Sequence, residues 1–212
     1  MLANSSSISK KTEPLWFSLS VKAIRVVVRP VHGTDSFDHD NSADSAAGAA
    51  TMSPVVLIAK IGTSSLTDER GQIRHSVIDK ICDEVAAVRS RDCQVVIVTS
   101  GAISAGLPAL GYADTRPRDS RTLQAASAVG QTRLMGLYEE ALARHGLIAG
   151  QILMAPFDFF ERSQYLHARG TLERLLELGV VPVINENDAV ATEELACEGE
   201  GSRPVFGDND RL

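Results

Sequence analysis

Val180-Val-Pro-Val-Ile-Asn-Glu-Asn-Asp-Ala-Val-Ala-Thr192 is the stretch on which the reading of the fold turns. Val180 to Ile184 is a short apolar run, mostly β-branched and preceded by Gly179, which predicts a strand buried on both faces. It breaks off at Asn185, Glu186, Asn187 and Asp188. A plain turn asks only for a Gly-Asn or Pro-Asp pair. Four hydrogen-bonding side chains at the carboxyl end of a buried strand therefore read as a solvated loop or as a binding site.

The same pattern recurs upstream. Val55 to Lys60 runs into Gly62-Thr63-Ser64-Ser65, and Val95 to Val98 runs into Thr99-Ser100-Gly101-Ala102. In open α/β sheets ligands sit outside the carboxyl ends of strands, so three such ends predict one shared site. Gly207-Asp208-Asn209-Asp210 adds a further acidic, amide-bearing cluster. Between the strands, Val77, Ile81, Val85 and Val88 repeat at helical spacing. A long helix is predicted from Ser120 to His145, closing at Gly146, and an amphipathic one from Glu161 to Leu178, closing at Gly179. Gln94 to Val98 and Leu147 to Met154 supply further strands. This alternation predicts an α/β fold with a mostly parallel sheet.

A chain of 212 residues is long enough for one sizeable core. Its hydrophobic share of 44% and mean hydropathy of -0.01 are those of a soluble globular protein, and no apolar run reaches membrane-spanning length. A net charge of -6 and an isoelectric point of about 5.4 speak against a nucleic-acid partner and for small-molecule work. Cys82, Cys93 and Cys197 are scattered without a C-x-x-C pair, which suggests neither a zinc site nor a disulfide framework and fits the cytoplasm. No histidine falls in a nucleophile motif. His145, just before Gly146, reads as a favourable charge on a helix dipole.

The segments IAKIGTSSLT, VVIVTSGAISAG, AASAVGQTRLMGLYEEAL, VVPVINENDAVAT and FGDND resemble the glutamate 5-kinases of the amino acid kinase family, in the right order over residues 54 to 212. The resemblance implies a three-layer sandwich on a mostly parallel sheet. It also implies ATP-dependent phosphorylation of the γ-carboxylate of L-glutamate, the first step of proline biosynthesis, with Mg2+ as cofactor. By the same resemblance Lys60 and Asp210 are catalytic, Lys60 stabilising the transferring phosphoryl group and Asp210 orienting the catalytic lysines. Ser100, Asp188 and Asn209 would bind glutamate, with Asn185 a nearby candidate, and Lys60, Gly62 and Thr63 would face the phosphates. A homo-oligomer and a partnering γ-glutamyl phosphate reductase are further implications. The family's nucleotide-binding segments lie downstream of GDND, so the resemblance implies a chain truncated before that half. The alternative function is then a non-catalytic glutamate-binding fragment.

The residues can support this chemistry. Phosphoryl transfer asks for positioning and charge neutralisation, and a carboxylate acceptor with a pKa near ~4.3 is already ionised at neutral pH, so no general base is required. Lys60 supplies a cation at a strand end and Gly62 to Ser64 supply amides that can approach a phosphate. This is not a Walker A loop, because the lysine precedes the glycine, and alone such a lysine reads as a solvated strand end. Asp188 can accept from an α-ammonium, while Ser100, Asn185 and Asn209 can meet carboxylate oxygens. Ser100 by itself reads equally as a helix cap.

Two departures from the resembled pattern stand out. The connection between VAT and GDND is long, and Gly170 stands where Asp is common, which reads as a local helix change. Residues 1–52 fall outside the resemblance and are rich in Ser, Asp, Ala and Gly, so they are expected to be a disordered extension ahead of a kinase-like segment at 53–212. The apolar part from Leu15 to Val31 is split by Lys22, Arg25 and Arg29 and makes a weak signal peptide. Met52, just ahead of the first strand, is the expected native start, which mass spectrometry of the endogenous amino terminus checks.

Overall fold

The computed structural model describes residues 24–30 along the backbone, together with 55–91 and 93–191. Five strands form one sheet: β1 (Ile24–Pro30), β2 (Val55–Ile61), β3 (Gln94–Val98), β4 (Ala149–Met154) and β5 (Val181–Glu186), in the order β1-β2-β3-β5-β4. The last four are mutually parallel, and β1 pairs antiparallel with β2, Ile24 opposite Ile61 and Pro30 opposite Val55. β1 lies within the segment expected to be disordered. Its Ile-Arg-Val-Val-Val core has the β-branched composition that suits a strand.

Among the described residues five α-helices connect or flank the strands: α1 (Thr63–Leu66), α2 (His75–Arg89), α3 (Ala102–Gly106), α4 (Ser120–Ala143) and α5 (Arg162–Glu177). The chain steps in one direction from β2 to β3 to β4, skipping a place, and then steps back to fill that place with β5. Right-handed crossovers taken in opposite directions leave their helices on opposite faces. Accordingly Val95, Ile97, Val181 and Val183 pack with Ile78, Ile81 and Val85 of α2 and Leu134, Tyr138 and Leu142 of α4. Val96, Val98 and Ile184 point the other way, to Leu172 and Leu176 of α5. The result is the three-layer α/β arrangement, with β3 and β5 buried on both faces as their unbroken apolar runs predict. No helix among the described residues is long and apolar enough to cross a membrane.

The long helices start and stop within a few residues of their predicted limits. Asp119 caps α4, its Oδ1 accepting from the Thr122 amide at 2.8 Å, and this bond holds its carboxyl below the usual range. Gly146 (φ 69°) and Gly179 (φ 76°) take the left-handed conformation that ends α4 and α5. His145 does more than sit on a helix dipole. Its Nε2 lies 2.8 Å from Asp83 Oδ1, and Arg144 pairs with Asp79, so the end of α4 is tied to α2.

α3 and α4 cross with almost no gap. A Cβ built on Gly106 would lie 1.8 Å from the Ala126 carbonyl oxygen, and one on Gly130 would lie 1.7 Å from that of Ala102. Only glycine allows this approach. The crossing fixes the rotation of α4, and so decides which of its side chains face the strand ends.

Candidate functional site

Strand register sets the site. Lys60 pairs with Val98, and Val98 with Ile184, so β2, β3 and β5 reach their carboxyl ends at one level. Adjacent strands lie about 4.8 Å apart, which puts the outer two of these ends roughly 10 Å apart. The Thr99 amide continues the ladder by donating to Ile184 O at 2.8 Å. Beyond that line come the polar residues singled out in the sequence.

At the end of β2, Lys60 is followed by Gly62 and the single turn of α1. A Cβ on Gly62 would meet nothing within 4 Å, so this backbone has open space beside it. Thr63 Oγ1 lies 2.7 Å from Ser100 Oγ, joining the first strand end to the second. That bond answers the alternative reading of Ser100 as a helix cap: the cap position of α3 is Gly101 (φ 96°), and no side chain caps it. α3 is short and gives way to a 3-10 turn at Leu107–Leu110. Thr99 turns inward, its Oγ1 2.8 Å from the Tyr138 hydroxyl of α4, whose pKa burial pushes up.

At the end of β5 the polar cluster is not a solvated loop. Asn185 is 2% exposed and Asp188 6% exposed. Burying such groups is costly unless they are hydrogen-bonded. α4 supplies a partner to each: Asn185 Nδ2 donates to Gln131 Oε1 at 2.7 Å, and Ser127 Oγ donates to Asp188 Oδ2 at 2.8 Å. Asn187 shapes the turn by backbone bonds, its amide donating to Met154 O and its carbonyl accepting from Val190 and Ala191.

Lys60, Gly62, Thr63, Ser100, Asn185 and Asp188 thus gather at one end of the sheet. Asn209 and Asp210 lie outside the described residues. Ser127 and Gln131 are the site residues that no sequence signal singled out. Their trace is two polar side chains one turn apart on a helix whose other inward positions are apolar or small.

The chain is 46% identical over 156 residues to a glutamate 5-kinase of Pelobacter propionicus and 46% identical to one of Azoarcus, each alignment covering 74% of this chain and 39% of the relative. A glutamate 5-kinase of Thermobifida fusca is 45% identical over 74% of the chain. The chain therefore spans about two fifths of the length of the curated relatives it matches. A solved isopentenyl phosphate kinase is 20% identical and overlays with a TM-score of 0.41, covering 61% of this chain and 55% of that one. Residues 55–212 match the amino acid kinase family, to which this chain belongs.

Proposed function

We propose that the protein binds L-glutamate at the carboxyl ends of β2, β3 and β5 and phosphorylates its γ-carboxylate with ATP, giving γ-glutamyl phosphate for proline biosynthesis. The observation that carries this reading is that buried Asn185 and Asp188 stand at the carboxyl end of β5, beside the ends of β3 and β2 that lead to Ser100 and carry Lys60. Its support from the comparisons is the 46% identity to proteins named glutamate 5-kinase. Asp188 accepts from the substrate's α-ammonium. Ser100, Asn185 and Asn209 meet carboxylate oxygens, and Lys60 offsets the charge on the phosphoryl group while Gly62 and Thr63 face the phosphates. Asp210 orients the lysine.

Among the described residues no group of three or more His, Cys, Asp or Glu could form a metal cage. Mg2+ that arrives on nucleotide phosphates asks for one or two carboxylates at most, so in this reading it enters with ATP. Acyl phosphates hydrolyse readily, which makes a γ-glutamyl phosphate reductase the fitting partner in a shared cytoplasm, and a homo-oligomer is part of the same reading.

The span of about two fifths of the relatives' length favours a second reading, in which these 212 residues bind glutamate without turning over ATP. One pair of measurements separates the two. Calorimetry with L-glutamate is expected to show binding by the 212-residue chain. Hydroxamate formation from glutamate, ATP and hydroxylamine supports the kinase reading; binding without hydroxamate supports the second. A chain that binds no glutamate overturns both.

A further inference from the structure

We infer that Ser127 is a positioning residue for Asp188, and that it sets the preference for ligands carrying an α-ammonium. The inference rests on the glutamate reading above and goes beyond it by assigning a specificity role to a residue of α4. Ser127 is 3% exposed and its hydroxyl donates to Asp188 Oδ2 at 2.8 Å, an ordinary distance for a hydroxyl hydrogen bond. Such a bond holds the carboxylate in one orientation about the Asp188 side chain. A hydroxyl is also a neutral partner. Ser127 therefore orients the carboxylate without itself placing a positive charge beside it.

The support beneath Ser127 is rigid. Its neighbour Ala126 and Gly130 pack against the backbone of α3 with no room for another methyl, so α4 cannot rotate to carry Ser127 away. One turn on, Gln131 accepts from Asn185 in the same manner. One helix face therefore holds both buried polar side chains at the end of β5.

The test uses the 212-residue chain, with L-glutamate and with glutarate, which lacks the α-ammonium, titrated by calorimetry. The parent is expected to favour glutamate. Ser127→Ala is expected to weaken glutamate about tenfold, the loss typical of one hydrogen bond to a charged group, and to leave glutarate unchanged. Ser127→Thr, which keeps the hydroxyl, is expected to retain the preference, with circular dichroism confirming that each variant folds. Equal weakening of both ligands by Ser127→Ala would mark a merely structural role and overturn the inference, as would no change in either. A parent chain that binds glutamate and glutarate alike overturns the ammonium role of Asp188 and this inference with it. A parent that binds neither removes the glutamate reading itself.

Discussion

In the proposed function Asp188 meets a charge that glutamate carries before, during and after transfer, whereas Lys60 meets charge that redistributes on the phosphoryl group as the transition state forms. Loss of the first weakens ground state and transition state alike; loss of the second acts mostly on the transition state. In a form of the protein that turns over ATP, Asp188→Ala is expected to raise the glutamate KM by about 10- to 150-fold, from the roughly 1.5–3 kcal/mol of a charge-assisted hydrogen bond. Lys60→Ala is expected to lower kcat by about 10²-fold or more. Steady-state kinetics with each substrate varied in turn checks both, and a KM effect confined to ATP in Asp188→Ala would reverse the assignment. Lys60, Ser100, Asn185 and Asp188 stood out as candidates in the sequence because each lies at or just beyond the carboxyl end of a buried apolar run, where polar side chains need a reason, and the resemblance gave them roles. Ser127 and Gln131 did not stand out. Ser and Gln one turn apart on a helix look like a solvated stripe until the crossing of α3 and α4 shows which side is inward.

At the scale of elements, that crossing is the support on which the site depends. Gly130→Ala would drive a methyl into the Ala102 carbonyl at 1.7 Å, a backbone atom that cannot step aside. Overpacking of this kind costs roughly 1–3 kcal/mol, occasionally more, and here it also displaces the helix that carries Ser127 and Gln131. Gly170 offers the contrast: it is an interior residue of α5 with nothing within 4 Å of a Cβ. Gly170→Ala is expected to stabilise by about 0.4–1 kcal/mol, because alanine loses less chain entropy in a helix. Urea unfolding of the two variants should move the midpoint in opposite directions. Element limits were legible wherever glycine, proline or a polar cluster interrupts a periodic run, as at Gly146 and Gly179. β1 was less so, because Arg25 and Arg29 interrupt its apolar pattern and strand pairing depends on a partner distant in the chain.

For the molecule as a whole, Cys82 reports whether the core is closed. It is fully buried on α2, in the core that α2 shares with α4 and the sheet, and burial, reinforced by nearby Asp79, pushes its thiol up to about 12. The thiolate is the reactive form, so native Cys82 should resist alkylation even at mildly alkaline pH, while half-buried Cys93 reacts. In a Cys197→Ser background, mass spectrometry after iodoacetamide treatment should show one label on the native chain and two after denaturation. Rapid labelling of Cys82 in the native protein would mean that the layer of α2 and α4 opens far more often than this packing allows. The place of β5 has a consequence for synthesis. β5 is the last of the described strands to leave the ribosome, yet it belongs in the interior of the sheet, between two strands made earlier. Until Val181–Glu186 has emerged, β3 and β4 have no common neighbour and each keeps an open inner edge. The nascent chain therefore passes through an interval in which its sheet is split, and the strand that closes the split is the one that brings Asn185 and Asp188.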